Sequence, residues 1–379
     1  MQDTLRLLWL TEHYYPGRGG MAESCERIVR GLQAAGVVVD VAFLSRRAPR
    51  CSVTSLPKGR LLTIVVEDDP AHAMNVLWNT LQNDPQRSQW SHLIAFGGLL
   101  PFVAAPLFAA WLQLPLITLV RGNDFDIGIF VPERRSLLHD VFSRSAVICT
   151  VSQEKAERIA AYFAVQCVEV VHNGIPLQDW ELLPSEEQFS REWRARANGR
   201  RTIGLFGNLK RKKGASFFLQ TLADSILAAH FQVLIVGEVE EALVAWLATE
   251  GQQLVQHVIP SVTRYELLKY YGCCDFVAIP SFYDGLPNVA LEATALGIPL
   301  LAARTGGIAD VFREHEHGFF FAPGDTEQCT QALSQACHAT SEQLASMSAG
   351  CRRLIADSYT TQQETDRYLA ILHQTRRSV

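Results

Sequence analysis

The sequence predicts an α/β protein built from two parallel-sheet domains. Apolar runs of strand length alternate with helical stretches in both halves of the chain, which is typical of parallel sheets with crossover helices. The 379 residues are too many for one ordinary core and suit two domains of the usual size. A polar, arginine-rich stretch at 185–201 separates the two series, and two such domains are expected to enclose a cleft.

The composition argues against nucleic-acid binding and against secretion. A net charge of −5 gives no overall attraction to nucleic acid. The nine cysteines are odd in number and form no CxxC pair, which favours reduced thiols in a cytosol. The N-terminal segment lacks the charged region and the small-residue cleavage site of a secretory signal, so we expect a cytoplasmic protein.

Strands are expected wherever short apolar runs lie between turn residues. The long apolar segment 93–120 is divided by Gly97, Gly98 and three prolines, so we interpret it as strand, helix and strand rather than as a membrane span. The predicted strands are 5–10, 37–44, 61–66, 93–96, 116–120, 146–151, 202–206, 232–236, 276–279 and 299–302. Helices are predicted at 102–112 and 361–374, and the domains at 1–175 and 176–360, followed by a C-terminal helix within 361–379.

Loops that follow parallel strands are where ligands bind, and four of them contain candidate residues. Gly19 and Gly20 precede an amphipathic helix, and amides at such a helix start attract phosphate. Lys213 stands in a basic loop before Gly214 and would neutralise a diphosphate. A plain glycine turn and a solvated basic loop are the respective alternatives. Gly306 and Gly307 open another helix and are interpreted as structural.

The loop after 116–120 contains Arg121 and Asp124. Arg121 is a candidate for contact with a donor phosphate or sugar, and Asp124 for orienting an acceptor hydroxyl. Asp124 and Asp126 also form a D-x-D sequence, which holds a divalent metal in a different architecture. Since so short a motif arises easily by chance, we expect a site without metal.

The stretch 280–310 is the most informative one, because it places Asp284 and Glu292 around the start of a helix. Pro287 is predicted as the first helical residue. Glu292 falls on the apolar face of that helix, where a carboxylate is rarely left unpaired and ligand hydroxyls would satisfy it. The alternative is that Asp284 caps a turn and Glu292 pairs with an arginine.

The spacing of Asp284 and Glu292 resembles the acidic-x7-Glu signature of glycosyltransferase family 4, retaining enzymes of GT-B architecture. Lys213 with Gly214 and the glycine pair 19–20 match other motifs of that family. The resemblance implies two Rossmann-like domains facing a central cleft, with the last helix returning to the first domain. It also implies that Lys213 binds the donor diphosphate, Glu292 holds the ribose hydroxyls, and the donor sugar is held by Asp284, Gly285, Leu286 and Asn288.

Three positions depart from common family residues. Asp284 replaces the usual Glu, Asn208 replaces a frequent Arg in the donor site, and Arg121 replaces a frequent His. A second cation for the diphosphate would then come from the neighbouring basic residues Lys210, Arg211 or Lys212.

The resemblance implies transfer of a sugar from a nucleotide diphosphate sugar to an acceptor hydroxyl by front-face displacement, with no cofactor. The catalytic set would be Asp284, Lys213, Arg121 and Asp124. A GT-B sugar-nucleotide epimerase and a non-catalytic nucleotide-sugar-binding scaffold stay open as alternatives. The acceptor is left open among glycan, lipid, small metabolite and RNA, and a peripheral contact with the inner membrane face is a further alternative.

Overall fold

The computed structural model of the protein describes residues 5–17 and 19–376. Its strands are β1 Arg6–Thr11, β2 Val38–Ser45, β3 Ser52–Leu56, β4 Gly59–Val65, β5 His92–Phe96, β6 Leu116–Leu119, β7 Val147–Thr150, β8 Val168–Val170, β9 Arg201–Leu209, β10 Phe231–Val239, β11 Val255–Ile259, β12 Phe276–Ile279, β13 Leu300–Ala303 and β14 Gly318–Phe321. Its helices are α1 Gly20–Ala34, α2 Pro70–Gln82, α3 Leu99–Leu112, α4 Asn123–Asp126, α5 Pro132–Ser143, α6 Gln153–Phe163, α7 Pro184–Arg196, α8 Ala215–Ala223, α9 Glu241–Ala248, α10 Arg264–Gly272, α11 Asn288–Ala295, α12 Gly307–Val311, α13 Thr326–His338, α14 Ser341–Ser358 and α15 Thr361–Thr375.

The chain divides into two compact units. Unit 1 comprises Met1–Asn173 and Thr361–Val379, and unit 2 comprises Gly174–Thr360. Each unit contains a mostly or wholly parallel sheet with helices, so the predicted α/β class with two Rossmann-like domains is confirmed. Within unit 1, the C-terminal helix α15 packs against α1.

Unit 1 has an eight-stranded sheet in the order β3-β4-β2-β1-β5-β6-β7-β8, parallel except for the β3–β4 pair. Alternate residues of β1 supply the two faces, because successive side chains of a strand point in opposite directions. Leu8 and Leu10 enter one apolar core, whereas Leu7 and Trp9 enter another, which includes residues of α1 and α15. Burial on both faces explains why the central strands are almost continuously apolar.

Unit 2 has a six-stranded parallel sheet in the order β11-β10-β9-β12-β13-β14. The strand order reverses between β9 and β12, which are neighbours. Loops after the strands on either side of such a reversal diverge and leave a crevice, where open α/β sheets bind ligands. The loops with Lys213 and with Asp284 follow these two strands.

Four strands were not predicted, and all of them lie at sheet edges: β3 and β8 in unit 1, β11 and β14 in unit 2. The first three are largely exposed or half-buried, so they present no continuous apolar run, whereas β14 is buried and was missed although it is as long as β12 and β13. Helix α3 begins at Leu99, earlier than the predicted 102, since Pro101 is tolerated in a first turn. No helix in the described part of the chain is both long and apolar enough to cross a membrane.

Candidate functional site

Lys213 and Asp284 are brought together at the carboxyl ends of β9 and β12. The Lys213 Nζ donates a hydrogen bond to Asp284 Oδ2. The Nζ of Lys212 lies 3.9 Å from the other carboxylate oxygen, Oδ1. Each oxygen of one carboxylate therefore faces a separate ammonium group, an arrangement that concentrates charge at the end of the sheet.

The Asp284 carboxylate is held in its ionised form. Burial by itself raises the pKa of Asp284, but the charges of Lys213 and Lys212 and the hydrogen bonds outweigh it, so the pKa lies below its ordinary value. The backbone N–H of Gly285 contributes by donating to Asp284 Oδ1 at 3.0 Å. The site thus has a fixed negative charge between two positive ones at neutral pH.

Backbone contacts lock the two loops together. Gly214 has a φ of 67°, and a Cβ there would lie 1.9 Å from the carbonyl oxygen of Pro280, so the close approach requires glycine. The Phe282 N–H donates to the Lys212 carbonyl at 2.9 Å. The positions of the lysines and of Asp284 are consequently fixed by backbone as well as by side chains.

The loop with Gly306 and Gly307 supports the same site. A Cβ on Gly306 would lie 2.2 Å from the carbonyl oxygen of Asp284. The Gly307 N–H donates to the carbonyl of Gly285 at 2.7 Å. This glycine pair, which was interpreted from the sequence as structural, therefore holds the segment that carries Asp284.

Glu292 lies on α11 and reaches Tyr271 of α10. The Tyr271 hydroxyl donates to Glu292 Oε2 at 2.7 Å, and its ring stacks on Phe206 with centroids 3.9 Å apart. Tyr271 was not singled out in the sequence, because it lies in a mixed polar and apolar helix and its partner is distant along the chain. The prediction for Pro287 was wrong by one residue: α11 begins at Asn288 and Pro287 is its N-cap.

The other predicted donor-binding residues of unit 2 differ in their exposure to solvent. Gly285 and Leu286 are buried, and Asn288 is half-buried as the first residue of α11. Asn208 is exposed near the end of β9, and its side-chain amide donates to Glu238 Oε2 at 2.8 Å. Asn208 is therefore tied to β10, while Lys212 is the second cation next to Asp284.

In unit 1, Gly19 and Gly20 stand at the start of α1 as predicted from the helix pattern. Gly19 is the N-cap with a φ of 104°, a conformation that favours glycine, and Gly20 is the first helical residue. Among the described residues other than its chain neighbours, none lies within 4 Å of where a Cβ on Gly19 would be. Binding of a ligand by the amides at this helix start stays a prediction.

Arg121 is buried in a polar network of unit 1. Its guanidinium donates to Tyr368 at 3.1 Å and to Asn173, and lies 3.9 Å from Glu364. Arg27 of α1 shares Glu364, with its Nε donating at 2.8 Å. A donor phosphate would have to compete with these partners for Arg121, so the predicted contact gains no support from the geometry.

Asp124 and Asp126 serve different partners. Asp124 accepts hydrogen bonds from the backbone N–H groups of Arg121 at 3.0 Å and Gly122 at 2.7 Å. Asp126 pairs with the buried ammonium of Lys155. The two carboxylates do not converge as ligands of one ion would. Within the described residues, no group of three or more His, Cys, Asp or Glu is placed to hold a metal.

Comparison with known proteins agrees with this arrangement. The family model "Glycosyl transferase 4-like domain" matches residues 19–174, and the model "Glycosyl transferases group 1" matches 200–338. A putative teichuronic acid biosynthesis glycosyltransferase of Bacillus subtilis is 23% identical over 62% of this chain and 58% of its own length. The chain spans about half the length of the curated relatives it matches.

Solved structures share the fold over nearly the whole chain. Sucrose-phosphate synthase of Thermosynechococcus elongatus superposes with a TM-score of 0.80 at 14% identity, covering 98% of both chains. HepE of Anabaena in complex with UDP-glucose superposes with a TM-score of 0.77 at 16% identity, covering 98% of this chain and 100% of HepE. With a family model matching the greater part of each unit and this shared architecture, the chain belongs to the glycosyltransferases of the family 4 type and has the GT-B fold.

Proposed function

We propose that the protein is a retaining glycosyltransferase that moves a sugar from a nucleotide diphosphate sugar to an acceptor hydroxyl. The donor binds mainly to unit 2 and the acceptor mainly to unit 1. The observation that carries the proposal is the Asp284 carboxylate between two lysines at the strand-order reversal of unit 2. HepE, which shares the fold, was solved with UDP-glucose, and this supports a donor of the same chemical class.

Each residue of the unit 2 centre has a role in this proposal. Lys213, with Lys212 beside it, stabilises the charge that develops on the departing diphosphate. Asp284 and the amides of 285, 286 and 288 hold the hydroxyls of the donor sugar. Glu292 accepts hydrogen bonds from the ribose hydroxyls, and Tyr271 orients its carboxylate.

The proposed reaction needs no enzyme nucleophile and no metal. The bond between the anomeric carbon and the diphosphate oxygen breaks, and the acceptor oxygen bonds to the same face of that carbon. The acceptor proton passes to the departing phosphate oxygen, so atoms and charges balance. Asp124 is the candidate for orienting the acceptor hydroxyl. Its two carboxylate oxygens accept backbone N–H groups, and their remaining lone pairs would accept from the hydroxyl.

Ligand-dependent thermal unfolding tests the donor class. The diphosphates of uridine, guanosine, adenosine and thymidine, and their sugars, would each be added with and without chelator. At a hundred times the dissociation constant, a ligand stabilises by about 2.7 kcal/mol. A selective shift that chelator leaves unchanged is expected, whereas a shift that requires a divalent ion would contradict the metal-free site.

The stereochemistry requires a separate measurement. With the donor identified, candidate acceptors of the glycan, lipid and small-metabolite classes would be screened for release of nucleoside diphosphate. The anomeric configuration of the new bond would then be read by proton NMR. Retention is expected; an inverted product would refute the front-face mechanism, and donor binding without any transfer would favour the scaffold alternative.

A further inference from the structure

Asp284 pairs with the two lysines to which the proposed function assigns binding of the diphosphate. One carboxylate oxygen accepts from Lys213, and the other lies 3.9 Å from the Nζ of Lys212. The three side chains are largely covered, with exposures of 13% for Asp284, 19% for Lys212 and 28% for Lys213. A diphosphate that binds to Lys212 and Lys213 therefore comes close to a carboxylate that already interacts with both lysines.

This carboxylate has little freedom to withdraw. The backbone carbonyl oxygen of Asp284 lies 2.2 Å from where a Cβ on Gly306 would be, and the Asp284 Oδ1 accepts the Gly285 N–H at 3.0 Å. The side chain has a single methylene, so it cannot swing far from its own backbone. The backbone that carries Lys212 and Lys213 is tied to the loop of Asp284, because the Phe282 N–H donates to the Lys212 carbonyl at 2.9 Å. A bound diphosphate must share the lysines with Asp284 at short range.

Sharing the lysines with Asp284 should affect binding of the diphosphate sugar and of the free nucleoside diphosphate differently. A diphosphate sugar has one negative charge fewer on its second phosphate at neutral pH, because that phosphate is esterified, while a free terminal phosphate with a pKa of about 6 is mostly dianionic. The sugar also supplies hydroxyl donors for the Asp284 carboxylate. Free nucleoside diphosphate lacks the transferred sugar, and its ribose hydroxyls are assigned to Glu292, so it offers Asp284 no hydroxyl donor and its more negative terminal phosphate meets stronger repulsion.

We propose that Asp284 is a specificity-determining residue that weakens binding of the free nucleoside diphosphate relative to the diphosphate sugar, and so promotes release of that product. This inference rests on the proposed function, since it takes Lys213 as the diphosphate cation. It concerns the balance between donor and product, which the assignment of Asp284 to the donor sugar does not by itself address.

Calorimetric titration of the Asp284→Asn variant tests the inference. The probes are UDP, GDP, ADP and dTDP, with UDP-glucose, GDP-mannose, ADP-glucose and dTDP-glucose. We expect the variant to bind the preferred diphosphate about tenfold more tightly than the wild type, the factor that corresponds to one pKa unit of charge interaction. The matching diphosphate sugar should gain less, because it loses its carboxylate acceptor.

Two control variants show whether a change in nucleotide affinity comes from the charge of Asp284 itself or from the loss of any negative charge. Glu342→Gln removes an exposed carboxylate at the start of α14 and should leave both affinities unchanged. Glu292→Gln makes the same chemical change at the other acid of the site, which accepts from the Tyr271 hydroxyl and is assigned to the ribose, and it should weaken binding of the diphosphate. Thermal unfolding of each variant would verify that it is folded.

A double-mutant cycle with Lys212→Gln gives a second readout. Loss of Lys212 should weaken diphosphate binding more in the Asp284→Asn background than in the wild type, because the substituted amide competes less for the ammonium. If the wild type transfers sugar but Asp284→Asn binds the diphosphate no more tightly and the cycle shows no coupling, the inference fails alone. If neither protein binds any probe, the inference and the proposed function fail together.

Discussion

At the scale of single residues, Lys213 is the side chain whose loss should most directly affect transfer. We expect Lys213→Met to lower kcat by a factor of about 10² to 10³, the usual cost of removing one preorganised group that stabilises developing charge. Lys210→Met is the matched control, since Lys210 is exposed on the same loop, and should change kcat by no more than about twofold. Initial rates under saturating donor would decide, and an unchanged kcat for Lys213→Met would remove it from the catalytic set.

Tyr271 is predicted to position Glu292 rather than to touch the reacting atoms. Tyr271→Phe keeps the ring stacked on Phe206 but removes the 2.7 Å hydrogen bond to Glu292. A hydrogen bond to a charged group is worth about 1.5 to 3 kcal/mol, so the donor KM should rise about tenfold or more. kcat should change little. Tyr270→Phe, on the same helix, is the control and should leave KM unchanged.

At the scale of elements, Asp40 joins three strands of unit 1. Fully buried on β2, it accepts from Arg6 of β1 at 2.8 Å, from Arg60 of β4 at 3.2 Å and from the Trp90 indole at 2.9 Å. Asp40→Asn should destabilise the protein by about 1.5 to 3 kcal/mol, because it removes the carboxylate that accepts from Arg6 and Arg60, although Arg60 keeps its ion pair with Asp84 at 2.9 Å. Denaturant unfolding at neutral pH would measure this, and Asp140→Asn, which breaks an exposed pair, should cost less than about 1 kcal/mol.

The same substitution gives a pH dependence with a defined sign. Burial raises the pKa of Asp40, but its hydrogen bonds to Arg6, Arg60 and Trp90 outweigh burial, so its pKa in the folded protein lies below the ordinary 3.8. The stability that Asp40 contributes is therefore complete above pH 3.8 and is lost as the pH falls through the lower folded value. The wild type and Asp40→Asn should converge in stability under strongly acidic conditions, and a constant difference would contradict this account.

Sequence patterns predicted the central strands but not the strands at the sheet edges. A central strand such as β1 is buried on both faces and therefore reads as an apolar run, whereas the edge strand β3, with the sequence SVTSL, is mostly exposed. The loops carrying Lys213 and Asp284 were found because both directly follow strands. Tyr271 and Glu364 were not, since hydrogen bonds between residues far apart in sequence leave no local pattern; Arg27 and Glu364 are 337 positions apart.

At the scale of the whole molecule, nucleotide binding should protect specific backbone amides from hydrogen exchange. We expect bound nucleotide diphosphate to slow exchange at 211–214 and 284–288 in unit 2, and in the first turn of α1, whose amides after Gly19 have no partner within the helix. The first turn of α13 serves as an internal control and should be unchanged. Protection in unit 2 without protection at α1 would remove Gly19 and Gly20 from the donor site. Protection that leaves 284–288 unaffected would place the nucleotide away from Asp284, and the assignment of this centre to the donor would then be wrong.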